Sequence, residues 1–109
     1  MRTFAIVFGC LCLIAAATAQ SYTPKSGYVP DSVTAVKIGE AVLVPVYGER
    51  QIASERPFTA SLKGDLWTVE GTLHCPDGKG GTTTNCDGGT AVVKISKLDG
   101  RIVFMTHYK

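Results

Sequence analysis

Two turn signals, Gly64-Asp65 and Asp99-Gly100, most restrict the folds open to this chain. Each lies between segments in which apolar and polar residues alternate, the period of a half-buried strand. Before the first turn, Phe58, Ala60 and Leu62 alternate with Thr59, Ser61 and Lys63. After it, residues 66–73 place Trp67, Val69 and Gly71 on one side, with Leu66, Thr68, Glu70 and Thr72 opposite. Leu66 and Trp67 cannot both face the core directly, so the register of this hairpin stays open. Before the second turn, Ala91, Val93 and Ile95 share a face within residues 90–96. Residues 101–107 then return, with Val103 and Met105 expected on the core side and Ile102 and Phe104 on the other. That second apolar side needs a cover: the N-terminal arm, a second molecule or a partner.

Upstream of the strands the period lengthens. Asp31 is suited to accept the free N–H groups of a first helical turn. Val33, Val36, Ile38, Ala41 and Val42 make a broad apolar stripe, with Lys37 and Glu40 on the polar face. Gly39 and the β-branched residues lower intrinsic helicity, so packing against a sheet must hold the helix. Pro45 kinks or ends it, and Tyr47-Gly48 marks the exit. The expected architecture is α+β: one N-terminal helix packed across one face of a mainly antiparallel four-stranded sheet. Repeated helices between strands, which a doubly wound parallel sheet requires, do not occur.

The N-terminus carries a compartment signal. Met1-Arg2-Thr3 leads into an apolar run from Phe4 to Ala17, and Ala17-Thr18-Ala19 has the small-residue pattern of a signal-peptidase site. The run is short for a bilayer span, which needs about 20 apolar residues. The expected organisation is therefore a cleaved signal peptide over residues 1–19, a flexible arm over residues 20–27 and one domain over residues 28–109. Cleavage leaves no stable membrane anchor and predicts a location outside the cytoplasm. Of the four cysteines, Cys10 and Cys12 leave with the leader. Cys75 and Cys86 remain as a disulfide pair suited to an oxidising compartment. Closing that loop stabilises a small domain by about 3 kcal/mol in chain-entropy terms.

Charge excludes one class of partner. Lys and Arg number 11 against nine Asp and Glu, and the basic residues are scattered. No phosphate-tracking stripe results, so nucleic acid is not an expected partner.

The chemistry-bearing residues point away from catalysis. His74 beside Cys75, and Cys86 beside Asp87, fit no standard zinc spacing, so neither a metal nor another cofactor is expected. Gly78-Lys79-Gly80-Gly81-Thr82 lacks the order of a phosphate loop. Asp65, Asp77 and Asp99 sit in turns, and no acid pair or nucleophile triad stands out. Trp67 reads as a core residue, with a binding surface as its alternative role. Asp77, Lys79, Asn85 and Asp87 on the cysteine-closed loop, with Arg101 and Tyr108 near the last strand, are the candidate partner contacts. Together with Glu49, Arg50, Glu55 and Arg56 they give mixed-charge rims suited to protein recognition.

An ordered set of segments resembles the small bacterial NTF2-fold immunity proteins. It comprises Tyr28-Val29-Pro30-Asp31, Ala35-Val36-Lys37-Ile38-Gly39-Glu40-Ala41, Pro45-Val46-Tyr47-Gly48 and Arg56-Pro57-Phe58. It continues through Trp67-Thr68-Val69-Glu70-Gly71-Thr72-Leu73, Gly88-Gly89-Thr90-Ala91, Ile95-Ser96-Lys97-Leu98-Asp99-Gly100-Arg101-Ile102 and Thr106-His107. The resemblance implies one N-terminal helix packed on a curved, mainly antiparallel four-stranded sheet, a compact NTF2/cystatin-like form, and neutralisation of a cognate bacterial toxin in the periplasm by binding and occlusion. It implies no enzyme activity and identifies no inhibitory residue. The leader, the cysteine-closed insertion between Leu73 and Gly88, and Tyr108 where glycine often follows the histidine are departures from the family pattern. The expected protein is a monomer or weak homodimer whose disulfide loop either contacts the partner or only stabilises a long hairpin. The alternative is a cystatin-like or PepSY-like envelope domain that inhibits a protease or cell-wall enzyme. A hydrolase is the third class.

Overall fold

The computed structural model describes Gly9 and residues 19–109, so the predicted leader lies, apart from Gly9 and Ala19, outside the described residues. Helix α1 spans Ser32–Tyr47 and α2 spans Glu49–Ser54. The strands are β1 Thr59–Lys63, β2 Leu66–Glu70, β3 Cys75–Pro76, β4 Thr82–Thr83, β5 Ala91–Ser96 and β6 Ile102–His107. β1, β2, β5 and β6 form one antiparallel sheet in that order, and β3 pairs with β4 in a separate two-stranded sheet. The architecture is the α+β arrangement expected, with a second short helix and a small hairpin added. No helix among the described residues is long and apolar enough to cross a membrane.

α1 begins where the side chain of Asp31 accepts the Thr34 N–H at 2.8 Å, and ends where the Gly48 N–H reaches the Val44 carbonyl at 2.8 Å. Pro45 sits inside the helix, but only two residues follow it before the end. The buried line of the helix is Ala35, Gly39 and Leu43. That line corrects the expected stripe: Ala41 faces solvent and Val33 is 64% exposed. The reason is close approach. A Cβ on Gly39 would lie 2.8 Å from Val69 Cγ1 and 3.1 Å from Val93 Cγ1, so small residues let the helix axis settle onto the sheet. The glycine that weakens the helix locally is what permits its tertiary packing.

The sheet register resolves the open hairpin. Trp67 pairs with Leu62 and Ile95 on the helix-facing side, whereas Leu66 pairs with Lys63 and Ser96 on the outer side. The core comprises Val69, Val93, Ile95 and Ala91 from the sheet, Leu43 from α1, Ile52 from α2, and Val29, Phe58 and Trp67 around them. Trp67 Nε1 donates to the Val29 carbonyl at 2.8 Å, securing the segment that leads into α1. The same segment pairs with the far turn through Tyr28 N–H to Leu98 O and Val29 N–H to Lys97 O. Gly27 must be glycine here: its φ is 84°, and a Cβ would collide with the Lys97 carbonyl oxygen.

β6 departs from simple alternation. Met105 pairs with Val93 and Phe104 with Lys94, but Ile95 pairs with Ile102, leaving Val103 as an extra residue. This bulge moves Ile102 to the helix-facing side and corrects the expectation for Val103, which is exposed rather than in the core. On the outer side of the hairpin Phe104 remains 43% exposed, with Lys94 Nζ 5.6 Å from its ring centroid. The N-terminal arm ends at the turn rather than across this ring.

Candidate functional site

The residues singled out from the sequence fall into two places. The loop between Cys75 and Cys86 folds as the β3–β4 hairpin, and the two cysteines are disulfide-bonded with Cα atoms 6.4 Å apart. Asp77 Oδ1 accepts the N–H groups of Lys79 at 2.7 Å and Gly81 at 3.0 Å, so this carboxylate is committed to the turn. Lys79, Asn85 and Asp87 are exposed on the same loop. Tyr108 belongs with the base of that loop: with Leu73, Gly88 and Gly89 it lines a shallow polar groove of about 280 Å³. Arg101 does not join them. It sits at the other end of β6, beside Asp99 in the β5–β6 turn, roughly 20 Å away at the usual rise per strand residue. Replacing Cys75 and Cys86 together by serine is expected to lower stability by up to about 3 kcal/mol. Urea titrations of the two proteins under oxidising conditions measure it; equal midpoints would mean that the bond adds nothing.

A second cluster corrects the expectation that Glu55 belongs to a partner-facing rim. α2 ends at Glu55, which is only 5% exposed. Its Oε1 accepts the Ala91 N–H at 2.6 Å; its Oε2 accepts from Gln51 Nε2 at 2.9 Å and lies 3.0 Å from His107 Nε2. Burial pushes the carboxyl up, but the hydrogen bonds from Gln51, Ala91 and His107, with the charge His107 can carry, hold it below the ordinary glutamate value. The His107 ring in turn lies 5.5 Å from the Tyr47 ring. One carboxylate thus joins α2, the start of β5 and the end of β6. A Glu–His pair can in principle move a proton, but every Glu55 contact is structural and Glu55 does not line the groove at the hairpin base. His74 has a comparable role: its Nε2 lies 2.7 Å from the Arg56 carbonyl oxygen. Among the described residues, no group of three or more His, Cys, Asp or Glu side chains is placed to hold a metal ion.

The larger groove, about 570 Å³, runs between α1 and the edge strand β1. Val33, Val36, Phe58 and Ala60 give it apolar walls, and Lys37 and Glu40 its charged rim. Glu40 is held by Arg56 Nε at 2.7 Å, and the same guanidinium reaches Glu49 at 2.8 Å.

Residues 34–109 match the family described as NTF2 fold immunity protein. The chain belongs to this family. The matched region includes almost all of α1, the whole four-stranded sheet, the Glu55 cluster and the disulfide hairpin. The chain is also 28% identical over 88 residues to "Uncharacterized protein YhhH" of Escherichia coli (strain K12), covering 81% of this chain and 62% of the relative. It therefore spans less than two thirds of the length of the curated relative it matches. No solved structure matches. The Glu55 cluster ties α2 to β5 and β6, whereas the hairpin end, the α1–β1 groove and the outer face around Phe104 remain exposed.

Proposed function

We propose that this chain is a periplasmic immunity protein that neutralises a bacterial toxin by binding it directly and occluding an essential surface. Membership of the immunity family over residues 34–109 is the observation that carries the reading. In this reading residues 1–19 direct export and are removed, residues 20–27 form the arm and residues 28–109 the binding domain. The disulfide hairpin, with Lys79, Asn85 and Asp87 exposed and Tyr108 at its base, is a contact element whose prior closure lowers the ordering cost of association. Arg101 stands at the opposite end of β6 and joins the interface only if the toxin spans the sheet. The mechanism needs no turnover.

The test is affinity capture from a periplasmic extract of the host, followed by expression of each captured protein in cells that lack this chain. The expected result is a captured protein that kills those cells and is silenced when this chain is exported with it. If the folded, exported chain captures only a housekeeping hydrolase and inhibits it, the immunity reading fails.

A further inference from the structure

The N-terminal half of α1 carries a second face beside its core line, on which Val36 packs in part against the core and Val33 stays exposed. Ala35, Gly39 and Leu43 face the sheet, but Val33, Val36, Lys37 and Glu40 recur at i, i+3, i+4 and i+7 and line the groove beside β1. Val33 is largely exposed there, and Phe58 and Ala60 form the opposite wall. β1 is an edge strand, so its backbone groups directed away from β2 have no neighbouring strand. The groove therefore offers two things at once: main-chain hydrogen bonds along β1 and an apolar trough for alternate side chains. Its volume lies within the range of about 300–1,000 Å³ typical of sites that hold a ligand.

Charge narrows the occupant. Glu40 is held by Arg56, which it shares with Glu49, and the Asp31 carboxylate is occupied by the N-cap of α1. Lys37 lines the groove without an ion-pair partner among the described residues, and Lys63 ends β1 in the same state. The geometry points to strand addition: an extended segment of the partner protein lies along β1, with aliphatic side chains against Val33, Val36 and Ala60 and a carboxylate at Lys37. A second copy of this chain is a poorer occupant, because its own β1, Thr-Ala-Ser-Leu-Lys, brings a lysine and no acid. The inference rests on the proposed role only in taking the partner to be a toxin.

Two arms test it. In the first, the full-length chain, isotopically labelled, is titrated with two acetylated octapeptides of alternating valine and threonine, one with a central aspartate and one with a central lysine. The aspartate peptide is expected to shift the amide signals of residues 33–40 and 58–60 and to bind at least fivefold more tightly. Lys37→Glu should reverse that preference. Shifts confined to other surfaces, or no saturable binding by either peptide, would overturn the proposal. In the second arm, Val33→Asp combined with Lys37→Glu, both at exposed positions, is tested against the killing partner. At least a tenfold loss of neutralisation with unchanged melting is expected. If the double variant protects as well as the parent, the groove is the wrong surface while the immunity role stands. If the parent neutralises no toxin, that role falls and the peptide arm alone decides the groove. A concentration-dependent dimer abolished by the double variant would assign the groove to a second copy and overturn the proposal.

Discussion

Glu55→Ala is expected to destabilise the protein by about 3–5 kcal/mol at neutral pH, the cost typical of removing one partner from a buried charged network. The substitution leaves the Ala91 N–H, the Gln51 amide and the His107 ring without their common acceptor. It also unfastens α2 from the ends of β5 and β6. Glu55→Gln keeps the shape and one acceptor oxygen but turns an amide toward two donors, so a smaller loss of about 1–3 kcal/mol is expected. The pH dependence supplies a second readout. The folded carboxyl lies below its ordinary value, so its contribution is fully present above the unfolded pKa, about 4.3. That contribution is lost as pH falls through the lower folded value. Urea titrations of the parent and Glu55→Gln should therefore differ most at pH 7, and the difference should shrink as pH falls below about 4.3. A difference that stays constant over that fall in pH would show that the charge carries none of the effect.

Trp67→Ala is expected to cost about 3–5 kcal/mol, the usual penalty for emptying a large aromatic site in a core. Trp67 is 6% exposed, and its indole N–H is bonded to the carbonyl of fully buried Val29. Trp67→Phe separates the two contributions: it restores much of the apolar volume but leaves the Val29 oxygen unpaired, and about 1–3 kcal/mol should be lost. Circular dichroism during urea titration measures both. A phenylalanine variant as stable as the parent would mean that the Val29 bond adds nothing net. Trp67 is the only tryptophan in the chain, so its emission in the parent should be blue-shifted and resistant to iodide.

Local patterns made much of this fold legible. The turns at Gly64-Asp65 and Asp99-Gly100, the Asp31 cap and the alternation through residues 91–95 depend on neighbours in the chain, and each has its counterpart in the structure. α2 was not legible because its six residues bury only Ile52, too little for a helical period to emerge. The true contact line of α1 was hidden for another reason. Alanine and glycine carry weak hydropathy signals, yet their small size decides which face reaches the sheet, while Val33 and Val36 drew attention to the groove side. Glu55 is farther still from sequence reading, since Ala91 and His107 lie 36 and 52 residues away. Beside Glu49, Arg50 and Arg56 it looks like one more charge of an exposed rim, and nothing local marks it as buried. Of the candidate contacts, the loop residues were near one another by chain proximity alone. The separation of Arg101 from Tyr108 follows simply from a strand running between them.

The extra residue at Val103 makes the two borders of the sheet unequal. Strand-by-strand growth into a fibre requires that every newcomer both accept a neighbour and present a fresh straight border to the next. β6 breaks its own spacing at the bulge, so it makes a poor template, whereas β1 stays regular beneath the α1 groove. A molecule built this way has one receptive side and one blunt side. Two copies joined β1 to β1 would present only their β6 borders outward, which resist further growth.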